Sequence, residues 1–215
     1  MHVSMTAKII GVIQVKGGAG RSTVSTNLAG ELSKLGRTVL IDCDMPQGTS
    51  ASWYAVREAP GANLVADTAA THKELIAKVE HYQDADYIVL DGPPRIAELT
   101  RAILMLSDLC LVPVGASAAE IWATTDLLAL IAEANKITPV KARMLWTRHR
   151  PHTKLAKDLS ELAAKELGLV ALSTSLGMRV AYPQALGEGL TAAEMPDASA
   201  KAEITSLIAE VAGLL

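Results

Sequence analysis

The sequence contains no phenylalanine, and tryptophan and tyrosine number only 3 and 4 among 215 residues. Half of the residues are nevertheless hydrophobic, with a mean hydropathy of +0.26, so the core must be built from aliphatic side chains. This composition excludes a disordered or fibrous protein. The length suits one α/β unit, and we expect a single domain over residues 1–215.

Cysteine is also scarce. Cys43 and Cys110 lie inside apolar segments and lack the C-x-x-C spacing of metal and redox sites. Neither a disulfide framework nor a zinc site is therefore predicted. No apolar run approaches the roughly 18 residues needed to cross a bilayer, and residues 1–6 are too short for a signal peptide. These features predict a protein of the reducing cytoplasm.

Predicted strands and helices alternate along the chain. Short aliphatic runs predict strands at 9–15, 38–41, 87–90, 109–114 and 144–146. Apolar residues three or four apart predict helices at 22–35, 73–82, 96–106, 121–134, 154–167 and 200–215. Because parallel strands need long crossovers, this alternation predicts an α/β fold, with a mostly parallel twisted sheet flanked by helices on both faces.

The first predicted strand ends in a glycine-rich loop that leads into a helix, with the sequence KGGAGRST at 16–23. Such a loop lets backbone N–H groups converge on phosphate oxygens, and the helix N-terminus adds a positive dipole end. The alternative, a plain glycine-rich turn, is disfavoured by the combination of strand, basic residue, hydroxyl pair and helix. The residues predicted to bind a nucleotide here are Gly17, Gly18, Ala19, Gly20, Arg21, Ser22 and Thr23.

Two further segments place acids at predicted strand ends: DCDMPQG at 42–48 and DYIVLDGPP at 86–94. Open α/β sheets bind ligands at the carboxyl ends of their strands. Carboxylates there can serve a Mg²⁺ ion and an attacking water, which phosphoryl transfer requires. An acidic strand cap is the alternative interpretation for Asp42 and Asp44.

Together these motifs resemble the ParA/MinD family of ATPases. The loop is similar to that family's deviant Walker A pattern K-G-G-x-G-K-[ST]-[ST], and 42–48 resembles its D-x-D-P-Q motif. Residues 86–94 resemble its Walker B strand and switch turn, so the resemblance extends from residue 8 to about 125. It implies a P-loop NTPase fold that binds ATP/ADP and Mg²⁺. The short ParF-type partition proteins, which lack an N-terminal DNA-binding domain, fit best.

The resemblance also implies roles for individual residues. Lys16 corresponds to the family's signature lysine, which reaches across a nucleotide-sandwich dimer to the partner's phosphates. Asp44 would orient or activate the attacking water. Ser22, Asp42 and Asp91 would serve Mg²⁺, Ser22 directly and the two acids through its outer shell.

Two departures from the family pattern affect the expected activity. Arg21 replaces the usual loop lysine, and its guanidinium can fork onto two phosphate oxygens but is bulkier than an ammonium group. We expect nucleotide binding to be retained and hydrolysis to be slow or strongly dependent on a partner. Met45 makes the acidic turn one residue longer than the usual pattern, which affects the placement of Pro46 and Gln47.

Basic residues are concentrated in one part of the sequence, although the formal net charge is −3. Residues 136–157 contain no acid and seven basic residues, Lys136, Lys141, Arg143, Arg148, Arg150, Lys154 and Lys157. This cluster predicts nonspecific DNA binding through Arg148, Arg150 and Lys154, with Arg179 as a second contact. Alternatively, Thr147 and Arg148 contact the nucleotide, because this strand-end loop lies near the adenine in P-loop proteins.

The expected function is an ATP-dependent dimerising switch for plasmid or chromosome partition in the bacterial cytoplasm. The ATP-bound homodimer would bind nonspecific DNA on the nucleoid. Hydrolysis would be stimulated by a ParB-type or other small centromere-binding adaptor protein. The alternatives are a MinD-like ATPase that positions another cargo or a membrane site, a nucleotide-gated scaffold with little hydrolysis, and a biotin- or cobalamin-pathway ligase. Membrane binding is disfavoured, because the tail after Lys201 has no basic residue and carries Glu203 and Glu210.

Overall fold

The computed structural model describes residues 7–58, 61–95 and 98–215. These ranges contain seven strands, β1 (Lys8–Val12), β2 (Thr38–Asp42), β3 (Leu64–Thr68), β4 (Tyr87–Asp91), β5 (Leu109–Gly115), β6 (Ala142–His149) and β7 (Ala171–Gly177). The helices in the same ranges are α1 (Arg21–Leu32), α2 (Thr49–Val56), α3 (His72–His81), α4 (Glu98–Leu106), α5 (Ala118–Ala123), α6 (Thr125–Ala134), α7 (Lys154–Leu167), α8 (Ala181–Gly187) and α9 (Ala198–Leu214).

All seven strands belong to one parallel sheet in the order β3-β2-β4-β1-β5-β6-β7. The strand β1 is central. The strands β2, β3 and β4 lie on one side of it, and β5, β6 and β7 lie on the other. Because all strands are parallel, their carboxyl ends meet at one edge of the sheet, where ligands bind in open α/β folds. The predicted fold class is confirmed.

Two helical layers cover the sheet. One core contains the buried faces of α1, α2, α8 and α9, and the other contains those of α3 to α7. The strands contribute alternate residues to the two layers, for example Ile9 to one and Ile10 to the other, as strand geometry requires. The central strand positions are fully buried on both faces, which explains their near-continuous aliphatic sequence.

The helix predicted at 121–134 is instead two helices. The α5 helix ends at Ala123 and α6 begins at Thr125. Thr124 lies between them, donates its hydroxyl to the carbonyl of Glu120 at 2.8 Å and accepts the side-chain amide of Gln14 at 2.9 Å. The apolar spacing predicts a continuous helix, because it carries no information about the long-range contact between Gln14 and Thr124.

Two edge strands and two short helices were not predicted, namely β3, β7, α2 and α8. The edge strands are only partly buried, so their sequences lack a continuous apolar run. The first two residues of the helix predicted at 96–106 lie outside the described ranges, and α4 occupies the rest.

The terminal helix α9 packs along the edge strand β7. Its residues Ile204, Leu207 and Val211 are buried, and its acids face the strand. Glu210 accepts the N–H groups of Ser173 and Thr174 at 2.7 and 2.9 Å. Glu203 and Glu210 therefore satisfy N–H groups of the sheet edge at β7, so neither acid is a free charge on the surface of α9. In the described ranges, no helix is both long and apolar enough to cross a membrane.

An ion pair fixes the end of α2 against the segment that follows α8. Arg57 bonds both oxygens of Glu194 at 2.7 to 2.9 Å and also donates to the carbonyl of Gly189 at 2.6 Å. Glu194 also accepts the backbone N–H of Thr191 at 2.7 Å. Burial raises the pKa of Glu194, but the bonds to Arg57 and Thr191 outweigh it and lower that pKa to about 2.

Replacing Glu194 by Gln tests this ion pair. Because the folded pKa is depressed, the stabilisation is present above the unfolded pKa of about 4.3 and is lost as the pH falls toward 2. We expect E194Q to lower the free energy of unfolding by about 2 kcal/mol at pH 7, with a difference that shrinks below pH 4. Urea titrations at several pH values measure this, and E133Q, at an exposed glutamate of α6, serves as the control. A constant difference from pH 3 to pH 7 would contradict the assignment.

Candidate functional site

The glycine-rich loop connects β1 to α1 at the ligand-binding edge of the sheet. Gly18 and Gly20 have φ angles of 75° and 97°, a left-handed conformation that favours glycine. A Cβ atom added at Gly17 or Gly18 would meet nothing within 4 Å, so this part of the loop is open. Gly20 is the N-cap of α1 and provides no capping side chain. The loop and the helix N-terminus therefore form a site suited to an anion.

Arg21 is buried and binds backbone carbonyls. Its Nε donates to the carbonyl of Gly92 at 2.8 Å, and one terminal nitrogen donates to those of Gln14 and Lys16 at 2.6 and 2.8 Å. The other terminal nitrogen lies 3.7 Å from a carboxylate oxygen of Asp44. Burial lowers the pKa of Arg21, while Asp91 and Asp44 raise it.

These contacts give Arg21 a structural role that the sequence did not predict. Three of its five N–H donors are committed to carbonyls, and the fork of Arg21 onto phosphate oxygens stays a prediction. The guanidinium joins the loop to the ends of β1 and β4. It therefore helps to hold the loop in shape.

Asp42 and Asp91 lie side by side, because the register of β2 and β4 pairs them directly. Both are fully buried. Asp91 accepts hydrogen bonds from the hydroxyls of Ser25, at 3.1 Å, and Ser50. Burial raises the pKa of Asp91 to about 6, with the hydroxyl of Ser50 opposing that shift and the charge of Asp42 adding to it. Asp42 accepts the backbone N–H groups of Asp44 and Ala51, each at 2.9 Å.

Asp44 follows β2 and faces Arg21 across the site. Burial raises the pKa of Asp44, and the charge of Arg21 opposes this. The carboxylate is mostly covered, with 16% of its side chain exposed. The structure thus brings Asp44 next to the loop, and its assignment as the residue that orients a water stays a prediction.

The oxygen-rich donor set fits Mg²⁺. Ser22 is the second residue of α1, and its hydroxyl is among the bonds that lower the pKa of the buried Asp91. Among the described residues, no three acids, histidines or cysteines converge well enough to hold a metal by themselves. Mg²⁺ sites commonly combine one or two carboxylates with waters and substrate phosphates. The site is therefore suited to Mg²⁺ that arrives with a phosphate.

A largely apolar cavity of about 320 Å³ lies beside the loop. Its walls include Leu176, Tyr182 and Pro183. Thr147 also lines it, and its hydroxyl donates to the carbonyl of Ala19 at 3.0 Å. The volume and the apolar walls are typical of a subsite for a ring system. The loop and the cavity together can accommodate a nucleotide.

Arg148 and Arg179 line the same cavity, but both are already paired. Arg148 bonds Glu120 at 2.9 Å and has a left-handed φ of 51°. Arg179 bonds Glu203 at 2.7 and 2.9 Å, and the hydroxyl of Tyr182 donates to the same carboxylate at 2.6 Å. Each charge is paired within the protein, and the roles of Arg148 and Arg179 in DNA binding stay predictions.

The basic residues of segment 136–157 do not form one patch in the structure. Lys136 and Lys141 lie before β6, whereas Arg150 and Lys154 lie after it. The length of β6 separates the two groups by about 23 Å. The amine of Lys141 also donates a hydrogen bond to the carbonyl of Leu214. At the ligand-binding edge, the exposed basic residues that follow β6 are Arg150, Lys154 and Lys157.

Sequence reasoning missed three polar residues of the site. Ser25 and Ser50 bind Asp91, and Gln14 accepts the N–H of Val15 while donating to Thr124. A signal was available for Ser25, which lies three residues after Ser22 and therefore on the same face of α1. Nothing in the sequence marked Ser50, because its contact depends on how α2 packs.

The chain is similar to several known proteins. Residues 7–81 match the AAA_31 family, described as an AAA domain. The chain is 29% identical over 213 residues to "Maintenance of carboxysome distribution protein A" of Halothiobacillus neapolitanus, covering 97% of this chain and 98% of that protein. The protein of the same name from Gloeobacter kilaueensis is 30% identical over 190 residues, with 86% and 83% covered. The chromosome-partitioning ATPase Soj of Thermus thermophilus is 27% identical over 233 residues, with 94% and 93% covered.

Solved structures share the fold. The ATP complex of a McdA variant from Cyanothece superposes with a TM-score of 0.80 at 15% identity, covering 97% of both chains. The MinC:MinD cell division complex of Aquifex aeolicus gives a TM-score of 0.76 at 15% identity, with 96% of both chains covered. At this identity the likeness concerns the architecture alone.

Replacing Arg21 by Lys tests whether the guanidinium holds the loop in shape. A lysine has one nitrogen and cannot reach three carbonyls at once, so buried acceptors lose their partners. We expect R21K to lower the free energy of unfolding without nucleotide by about 2 kcal/mol. Urea denaturation measures this, with R101K at an exposed arginine of α4 as the control. A stability equal to that of the unmodified protein would show that these bonds do not hold the loop.

Proposed function

Because this chain belongs to the ParA/MinD family of ATPases, we propose that it is an ATP-dependent dimerising switch that positions a cargo along DNA. One observation carries the proposal: the phosphate loop, the paired acids Asp42 and Asp91, and Asp44 meet at one edge of the sheet. The reaction is hydrolysis of ATP to ADP and phosphate. We propose that a single domain performs it.

The residues at this edge have separate roles in binding and hydrolysis. The N–H groups of the loop, with those of Ser22 and Thr23, bind the phosphates, and the cavity beside Thr147 holds the base. Ser22 and Asp91 would hold Mg²⁺, with Asp42 in support, and the bound ion would neutralise charge that develops on the phosphates. Asp44 orients the attacking water and accepts its hydrogen bond.

Slow hydrolysis follows from the contacts of Arg21. While its guanidinium remains on the three carbonyls and Asp44, it supplies little charge to the transferred phosphate. It also competes with water for the carboxylate of Asp44. We propose that rapid turnover needs an adaptor protein of the ParB type, or another small one, that changes these contacts.

The exposed Lys16 supports a homodimer in the ATP state. Its side chain is exposed while its carbonyl is held by Arg21, so the ammonium group is available to the phosphates of a second copy. Dimerisation also doubles the basic surface formed by Arg150, Lys154 and Lys157. Weak nonspecific binding to DNA then becomes dependent on ATP.

The nature of the cargo separates two candidates. Partition of plasmid or chromosomal DNA is the first, supported by the likeness to Soj. Positioning of a protein compartment is the second, favoured by the full-length match to the carboxysome distribution protein of Halothiobacillus neapolitanus. Deleting the gene distinguishes them, because the first candidate predicts plasmid loss or cells without DNA. The second predicts clustered compartments in cells with normal DNA content.

The variant D44A tests the ATPase mechanism. Removing the residue that orients the water should reduce kcat by about 100-fold or more, while the affinity for ATP changes by less than about threefold. Phosphate release and fluorescent-nucleotide titration measure the two quantities, with D126A at an exposed acid of α6 as the control. Full turnover by D44A would overturn the role of Asp44.

The variant pair R150A/K154A tests the DNA-binding surface. We expect the logarithm of DNA affinity in the presence of ATP to depend less steeply on the logarithm of salt concentration, by about 2 units of slope for each protomer. The pair K136A/K165A removes the same charge from residues outside this surface and should leave the slope unchanged. If both pairs behave alike, only net charge matters and the surface assignment fails.

A further inference from the structure

The first turn of α2 is hydrogen-bonded to the two buried acids of the proposed magnesium site, Asp42 and Asp91. We propose that Ser50 is a positioning residue that fixes Asp91 against α2, so that the magnesium end of the site and α2 move as one unit. This inference rests on the proposed function, because it takes Asp91 as the acid that serves the ion. It adds a residue that no motif in the sequence contains.

The contacts of Ser50 support this role. Ser50 is fully buried and is the second residue of α2. Its hydroxyl donates to one oxygen of Asp91, and the hydroxyl of Ser25 donates to the other oxygen at 3.1 Å. Hydroxyls from two different helices thus orient the carboxylate. Loss of a group that orients a metal-serving carboxylate typically lowers metal affinity by about 10- to 100-fold.

The backbone of α2 makes a second connection to the acids. The N–H of Ala51 donates to Asp42 at 2.9 Å. No side chain caps α2, whose N-cap is Gly48, so its positive end lies against the carboxylates of Asp42 and Asp91. The position of the first turn of α2 therefore depends on both acids, and a change at either acid is transmitted to the helix.

The remainder of α2 connects to the base end of the site. The indole nitrogen of Trp53 donates to the carbonyl of Leu190 at 2.9 Å, and Arg57 binds Gly189 and Glu194. This segment follows α8, whose Tyr182 and Pro183 line the cavity. The helix α2 thus bridges the proposed magnesium site and the wall of the base cavity.

Trp53 provides an optical probe of this bridge, because it lies one turn after Ser50 and is 1% exposed. The experiment measures the binding of ADP with and without Mg²⁺ and the change in tryptophan emission on adding Mg²⁺ to the ADP complex. The protein is the full chain. A W53F variant identifies the part of the signal that belongs to Trp53.

For S50A we expect ADP binding in EDTA within about twofold of the unmodified protein, because the loop is untouched. The Mg²⁺ concentration that half-saturates the ADP complex should rise about 10-fold, and the Trp53 response should fall by more than half. For S25A we expect a similar rise in the Mg²⁺ requirement with the Trp53 response retained, since Ser25 belongs to α1. S50C keeps the volume and a weak donor, so it should fall between S50A and the unmodified protein.

The outcomes separate this inference from the proposed function. If the unmodified protein binds ADP with no Mg²⁺ dependence, the proposed function fails. If it shows that dependence and S50A matches it in both readouts, only the role of Ser50 is overturned. A loss of the Trp53 response in S25A equal to that in S50A would also contradict the coupling through α2. Should S50A fail to fold, S50C decides by the same two readouts.

Discussion

The site depends on a buried guanidinium that binds backbone carbonyls at the ends of two strands. Arg21 joins Gln14, Lys16 and Gly92, and the neighbouring Asp44 compensates its charge. A buried charge is tolerated only when it is paired and hydrogen-bonded, so the loop, the β4 end and the turn after β2 must keep their relative positions. A single side chain thereby shapes the phosphate loop.

The parallel sheet supplies the other constraint, because it delivers Asp42 and Asp91 to adjacent positions in a buried region. Burying two carboxylates side by side costs free energy, and the pKa of Asp91 is accordingly raised to about 6. Serine hydroxyls and the start of α2 offset part of it. A cation at this place would offset more, which links the chemistry of the site to the placement of α2.

The sequence alone was sufficient for the parts of the site that depend on local spacing. The positions of the loop after β1 and of the acids at the ends of β2 and β4 follow from the predicted strand ends, and the register places Asp42 and Asp91 side by side. The contacts of Arg21 and Ser50 were not predictable, because they join residues 71 and 41 positions apart. The spatial separation of the basic residues in 136–157 was not predictable for the same reason. The eight-residue strand β6 places them at opposite ends of the sheet. The edge strands β3 and β7 were missed because half-buried sequences carry a weak apolar signal.

The most direct test of this account is a crystal structure of the protein bound to Mg²⁺ and a non-hydrolysable ATP analogue. We expect Arg21 to keep its bonds to the carbonyls of Gln14 and Gly92. Only its terminal nitrogen that faces Asp44 would turn to a phosphate oxygen. A structure in which Arg21 leaves both carbonyls and forks onto the phosphates would contradict this account.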